Sequence, residues 1–278
     1  VIVPACTWVT NVSPVIQLGL TPIFVDINFN NFSFDLDHLQ EVALKHSDIK
    51  AIFITHLLGF PGDNEKVSEI FPNAIIIDDV CESHGVRSLD GSRIGSNSLG
   101  STFSFYFGHH MTTIEGGMVS TNNYELYDLM RIKRSHGLSR ESSSPNKYNE
   151  MWPEINSNFL FVTDGYNFRN NEINAVLGLN QLKRLNDMIE IRRSNHTKFC
   201  NIISDNLDLY YPIVDNPNNS SFCFPLISRD RKIYEITKNK FSEKGIETRP
   251  IVGGNLLRQP FLKNYSIENS ATNIYNVD

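Results

Sequence analysis

Six short runs of apolar or small residues recur along the first half of the chain: Val1–Val3, Ile23–Val25, Ala51–Thr55, Ala74–Ile77, Ser101–Ser104 and Gly117–Ser120. Each is too short for a helix and nearly continuous in such residues, the texture of strands buried on both faces. Helical patterns fill the intervals. Ser13–Leu18 follows Asn11, Asp37–Lys45 follows an FSFD turn, Asn64–Ile70 follows a PGD turn, and Tyr124–Ser135 starts from TNN. Strands alternating with helices place the chain in the α/β class and predict a three-layer sandwich around a mostly parallel sheet.

Residues Gly137–Trp152 break this rhythm. They are rich in Ser, Asn, Pro and Glu and read as a long loop, a length that is functional or disordered more often than not. Asn171–Arg193 then reads as one long helix with Ile173, Val176, Leu177, Leu179, Leu182, Leu185, Met188 and Ile189 on a broad face. Beyond it, Phe222–Ile227 reads as a strand, Ile233–Lys244 as a helix closed by Gly245, and Ile246–Arg249 as the start of another strand. The expected division is a large domain over residues 1–193 and a smaller α/β domain over 194–278. The chain opens without Met and stops abruptly, so it is expected to be a piece of a longer protein, cut at both ends.

A net charge of −6 disfavours nucleic acid as a general partner. No apolar run approaches the ~20 residues of a membrane helix, and no basic segment of a secretory signal opens the chain. A cytoplasmic location is expected. The four cysteines, Cys6, Cys81, Cys200 and Cys223, form no C-x-x-C pair, so they are read as small buried hydrophobes and no metal site is expected.

Three stretches carry residues capable of chemistry. In AIIIDDVCESHGV, Ala74–Val86, a buried strand delivers Asp78 and Asp79 at its carboxyl end, where open α/β sheets bind ligands. A buried acid needs a cation or hydrogen-bond donors. The residues alone leave open whether one aspartate serves a ligand or caps the next helix. In SFYFGHHMTTIEGGMVST, Ser104–Thr121, a strand ends at Ser104, a His109-His110 pair follows, and Glu115-Gly116-Gly117 permits close backbone approach. In PACTWVT, Pro4–Thr10, Trp8 follows a strand end and could pack in the core or offer a face to an aromatic ligand.

Taken in order, PACTW, DDVCESHG, FSFYFGHHMTTIEGG, the HG at His136 and GYNFRNNEINAVLGLNQLKRL at Gly165–Leu185 resemble the DegT/DnrJ/EryC1 family of sugar aminotransferases. That family is of the fold-type-I class dependent on pyridoxal 5'-phosphate (PLP). The resemblance spans nearly the whole chain. It implies that residues 1–193 bind the cofactor, with Asp79 on the pyridine nitrogen, Trp8 stacked on the ring, Ser104 on the phosphate and Glu82 near the hydroxyl edge. Asn167, in GYNFR, matches a residue that reaches the phosphate from the neighbouring subunit, which implies a homodimer with shared active sites. Arg249, in TRPIVGGN, matches a substrate-side stretch.

Six residues before the Glu of Glu-Gly-Gly the family carries the lysine that bonds covalently to the cofactor. Here that position is His109, and no lysine occurs between Lys66 and Lys133. The HHM variant, with Glu82 and His136, resembles a narrower group of nucleotide-sugar 3-dehydratases. The resemblance implies that glutamate generates the amine form of the cofactor, pyridoxamine 5'-phosphate, which condenses with the C4 ketone of a nucleotide 4-keto-6-deoxy sugar, with GDP as the expected nucleotide. His109 would act as base, the C3 hydroxyl would leave, and hydrolysis would release ammonia and a 3-deoxy sugar. Histidine suits the role because its ordinary pKa of ~6.5 permits proton transfer near neutrality. His136 is a candidate loop-borne catalytic or substrate contact; His84 is expected to be structural, and His110 to orient its neighbour. Three rival readings stand beside this one. An ordinary aminotransferase lacks its lysine here, an iron–sulfur dehydrase lacks its cysteine spacing, and a non-catalytic remnant would not need Asp79, Ser104 and His109 together.

Overall fold

The computed structural model describes residues 1–265; the last part of the expected second domain, 266–278, lies outside the described residues. Six strands form one sheet: β1 (Ile2–Pro4), β2 (Ile23–Val25), β3 (Ala51–Thr55), β4 (Ile75–Asp79), β5 (Gly100–Ser104) and β6 (Gly117–Ser120), in the order β2-β1-β3-β4-β5-β6. All neighbours are parallel except β6, which runs antiparallel to β5. The helices are α1 (Ser13–Gln17), α2 (Leu36–Lys45), α3 (Asn64–Ile70), α4 (Tyr124–Arg134), α5 (Pro145–Met151), α6 (Glu172–Ser204) and α7 (Arg231–Glu243).

Side-chain alternation along the strands creates the layers. Ile2, Ile23, Val25, Ile52 and Ile54 point to one face and pack with Leu39 and Val42 of α2 and Val67 of α3. Val3 and Phe24 point to the other face, against Val12, Val15, Leu256 and Leu262. The apolar runs are continuous because both faces are covered. β6 departs from that expectation: Met118 and Val119 are exposed.

Local start signals hold where the side chain reaches the first turn. Asp35 accepts from His38 N at 3.0 Å and Asn123 from Leu126 N at 2.9 Å. Gly245 closes α7 as expected, with φ of 70° and a double backbone closure: Gly245 N to Ser242 O at 3.0 Å and Ile246 N to Phe241 O at 2.8 Å.

Four expectations need correction. Gly137–Trp152 is not structureless, since it holds a 3-10 turn at Ser139–Glu141 and then α5, which begins with Pro145 at a position that favours proline. The long helix runs on to Ser204, through the expected boundary at 193/194. Its apolar face is only partly core: Leu185 and Ile189 are buried, whereas Ile173, Val176, Leu179 and Leu182 are exposed. Phe222–Ile227 and Ile246–Arg249 form no strands, because their backbone groups pair elsewhere or with no strand; Phe222 N, for example, donates to Leu58 O at 3.0 Å. Of the four free cysteines, Cys6 and Cys200 are buried as expected, but Cys81 is half-buried and Cys223 exposed. No helix among the described residues is long and apolar enough to cross a membrane.

Candidate active site

The candidate residues Trp8, Asp79, Ser104 and His109 all lie at or just past the carboxyl ends of parallel strands. β4 is two residues longer at that end than its apolar run, so Asp78 and Asp79 are both strand residues with opposed side chains. Asp78 turns toward a structural cluster. Its Oδ1 accepts from His56 Nε2 at 3.0 Å and Asn64 Nδ2 at 2.8 Å. His56 Nδ1 in turn accepts from Gly62 N at 2.8 Å, which leaves the proton on Nε2. Burial would raise the Asp78 carboxyl, but the adjacent imidazole and the hydrogen bonds from His56 and Asn64 outweigh it and hold the pKa below the usual range.

Asp79 turns the other way and is 6% exposed. Its Oδ2 accepts from Asn11 Nδ2 at 2.7 Å and its Oδ1 from Cys81 N at 3.0 Å. Neither donor is charged. Asn11 is also tied to Thr7 Oγ1 at 2.8 Å and Thr55 Oγ1 at 3.1 Å, and the two hydroxyls lie 2.6 Å apart. Neither aspartate therefore caps a helix. Asn11, legible in sequence only as a helix-start signal, caps nothing either: Val12 precedes α1, and the Asn11 side chain turns inward to orient Asp79. Its position four residues after Thr7 in a single turn was the available signal.

The backbone of Cys81 joins Asp79 to His109 through its two flanking peptide groups. Its N–H donates to Asp79 and its carbonyl accepts from His109 Nδ1. A carbonyl cannot donate, so Nδ1 carries the hydrogen and Nε2 of neutral His109 carries the free lone pair. His109 is half-buried, with Phe222 at 5.4 Å and Tyr106 at 6.0 Å between ring centroids. Its two histidine neighbours are buried and held neutral. Burial, with repulsion from His109 when that ring is protonated, pushes His84 down to about 4 against an opposing Ser104 backbone contact. Burial pushes His110 down to about 3, and its Nε2–H donates to Ser220 O at 3.0 Å. His84 packs against Phe103 and Phe105, at 5.9 and 5.8 Å between ring centroids.

Glu82 lies beside this chain. Its Oε2 accepts from Leu58 N at 3.0 Å. Leu58 adopts a left-handed conformation, φ 55°, that non-glycine residues rarely take. Burial pushes the Glu82 carboxyl up to about 7, the charge of Asp79 adds to the rise, and the Leu58 hydrogen bond opposes it. A carboxyl raised from the usual range stabilises the fold at low pH; that contribution is lost as pH rises from about 4.5 through about 7. Glu82→Gln keeps an oxygen for Leu58 N and cannot ionise. Thermal unfolding of the wild type is therefore expected to lose stability relative to Glu82→Gln between pH 5 and pH 8. Parallel pH dependences in the two proteins would refute the assignment.

Trp8 is 56% exposed, which rules out the core-packing alternative, and lines a cavity of about 240 Å³ with Thr7, Val9, Gly253, Leu256, Gln259 and Phe261. Ser104 Oγ accepts from Tyr106 N at 3.2 Å, which leaves its hydroxyl hydrogen for another acceptor. Gly116, at φ 156°, is required: a Cβ there would lie 2.4 Å from Thr113 Oγ1.

The remaining candidates stand apart from this constellation. His136 occupies the left-handed position after α4, φ 61°, and its N–H donates to Tyr166 O at 2.7 Å; among the described residues no ring contact or hydrogen bond joins it to His109. Asn167 is exposed and accepts from Arg169 Nε at 3.2 Å. Arg249 is exposed and paired with Glu247 at 2.8 Å.

Residues 1–276 match the DegT/DnrJ/EryC1/StrS aminotransferase family, and the chain belongs to that family. Within it, the chain is 37% identical to a GDP-4-keto-6-deoxy-D-mannose 3-dehydratase of Yersinia pseudotuberculosis, over 100% of this chain and 72% of that protein. Its fold superposes on the Escherichia coli enzyme of that name with bound hydrated PLP, with a TM-score of 0.87, 32% identity and coverage of 96% of this chain and 70% of that one. A structure of GDP-4-keto-6-deoxymannose-3-dehydratase holding a trapped PLP-glutamate geminal diamine gives a TM-score of 0.84 at 32% identity, covering 96% and 71%.

Proposed function

We propose that this protein is a PLP- and pyridoxamine-phosphate-dependent 3-dehydratase that removes the C3 hydroxyl of GDP-4-keto-6-deoxy-D-mannose, with L-glutamate as amino donor. The observation that carries this reading is His109 at the position of the family's lysine, its Nδ1–H bound to the Cys81 carbonyl and its Nε2 left as a base. The similarity to 3-dehydratases at 37% and 32% identity supports it.

The residues present fit the cofactor. Asp79 is a buried acceptor whose two donors are neutral, so it still wants a cation, and a protonated pyridine nitrogen supplies one. When bound, the cofactor supplies an electron sink and an amine for the sugar ketone. Asp79 holds the ring nitrogen, Trp8 offers its exposed face to the ring, and Ser104 donates its hydroxyl to the phosphate. His109 Nε2 takes and returns the proton at the reacting carbon. Glu82, with a pKa of about 7, is poised between acid and carboxylate and can hold a proton beside the ring. His136 and Arg249 are proposed as substrate contacts. Residues 1–193 form the cofactor-binding part and those from 194 a smaller part, with α6 as a spine common to both. The protein is proposed to act in the cytoplasm, on a nucleotide sugar rather than nucleic acid or membrane.

A homodimer is part of this reading. Ile173, Val176, Leu179 and Leu182 stand exposed along α6, near in sequence to the exposed, stacked Tyr166 and Phe168. Apolar surface on that scale marks an interface. Asn167 lies in the same stretch, and its proposed role is to serve the neighbouring subunit's site. Asn167→Ala is expected to weaken cofactor retention without altering the circular dichroism of the fold. Full retention by an active monomer at high dilution would reject the shared site.

The experiment for the function is product analysis after incubation with GDP-4-keto-6-deoxymannose, glutamate and PLP. A 3-deoxy sugar with ammonia is expected. A 4-amino sugar would establish an aminotransferase instead, and unchanged sugar a binding remnant.

A further inference from the structure

Residues 219–222 lie far in sequence from the reacting histidine and yet reach its ring through Phe222. All four of their carbonyls are engaged by side chains. Asn219 O accepts from Arg193 Nε, Ser220 O from His110 Nε2 at 3.0 Å, and Ser221 O and Phe222 O both accept from Arg192 Nη1 at 3.0 Å. On the opposite side, Ser220 N donates to Gly59 O at 2.8 Å and Phe222 N to Leu58 O at 3.0 Å. Residues 219–222 are thus a strap held between α6 and the turn at Leu57–Gly59. Contact is close enough to demand glycine: a Cβ on Gly59 would lie 2.6 Å from Ser221 N and 2.7 Å from Phe222 N. Ser221 and Leu58 are both left-handed, at φ 45° and 55°, conformations that persist only where surroundings impose them.

The strap touches two groups of the site, His109 and His110, and reaches a third, Glu82, only through Leu58. The Phe222 ring packs on His109 at 5.4 Å and on His110 at 5.7 Å, Ser220 O holds His110, and Leu58 N holds Glu82. Asn219, Ser220 and Ser221 are buried, so water cannot replace a lost donor without displacing the strap.

We propose that Arg192 is a positioning residue for catalysis: its two hydrogen bonds to the Ser221 and Phe222 carbonyls fix the strap, and the strap fixes the His109 ring and the Glu82 carboxyl. One guanidinium nitrogen with two hydrogens spans adjacent carbonyls, a geometry that a lysine ammonium on a flexible stem does not pre-organise. The proposal rests on the reading of His109 as base, and its test separates the two.

The test uses the full chain with cofactor and histidine labelled with nitrogen-15. The wild type is expected to show a slowly exchanging His110 Nε2–H resonance. Arg192→Gln is expected to lose that protection and to lower kcat for C3 dehydration ~10–10²-fold while changing KM for the nucleotide sugar less than about threefold, as misplacement of a reacting group does. Arg192→Lys is expected to restore part of both. Val42→Ala, on the buried face of α2, supplies a destabilised control that should leave the resonance and kcat unchanged. A protected His110 signal with wild-type kcat in Arg192→Gln would overturn the proposal, as would either change without the other. If Arg192→Gln does not fold, Arg192→Lys decides: wild-type kcat with altered protection overturns the proposal. If the wild type performs no dehydration, the function reading fails, while loss of the His110 signal on substitution still supports the strap.

Discussion

Replacing His109 by asparagine is expected to lower C3 dehydration by ~10²–10⁴-fold, the contribution of a well-placed general acid–base group. The fold should survive. Asparagine can still donate to the Cys81 carbonyl, the bond that orients the ring in the wild type. The cofactor should still enter, because Asp79, Trp8 and Ser104 are untouched. Only the free Nε2 is lost. His84 and His110 cannot replace it: both are buried and neutral, at about 4 and about 3, and His110 is committed to Ser220. Rates of sugar deoxygenation and cofactor absorbance measured on the same preparation separate the two effects. A variant with full cofactor and wild-type rate would remove His109 from the chemistry and make His136 the next residue to test.

Asp79→Asn is expected to have an effect of similar size through a different route. Both Asp79 oxygens accept, one from Asn11 and one from Cys81 N–H. An amide offers one oxygen, so one of these donors faces an NH₂ group, at a stability cost of about 1–3 kcal/mol. The larger loss is chemical. A neutral amide cannot hold a protonated pyridine nitrogen, and removing one partner of a buried charge pair costs about 3–5 kcal/mol, roughly 10²–10³-fold or more in cofactor retention or rate. Asp78→Asn is the informative neighbour. Its partners are His56 and Asn64, so it should lower the unfolding midpoint and leave cofactor absorbance intact. Equal loss of cofactor in the two variants would refute the division of labour between adjacent aspartates.

That division was only half legible in the sequence. A strand ending in two acids must send them to opposite faces, but which face holds a ligand depends on what covers each one, here α3 with Asn64 on one side and the Asn11 turn on the other. The parallel sheet was legible because strands covered on both faces leave unbroken apolar runs. The region beyond α6 was not. Phe222–Ile227 has strand composition, yet its neighbour in space is the Leu57–Gly59 turn, a contact no local pattern encodes. The apolar stripe of α6 was legible as a stripe, but which part of it is core was not, since hydrophobic periodicity reports a face that wants covering and not what covers it. Arg192 and Arg193 escaped notice because an exposed basic pair on a helix reads as solvated until the carbonyls it grips are seen.

The central claim is that a histidine, with no amine to bond the cofactor, stands where the family's lysine stands. The most direct measurement is the intact mass of the protein after incubation with PLP, confirmation of bound cofactor by absorbance, and reduction with borohydride in the absence of substrate. The account predicts no added mass in the wild type and the mass of one reduced cofactor in His109→Lys. Covalent cofactor on the reduced wild-type chain would contradict it.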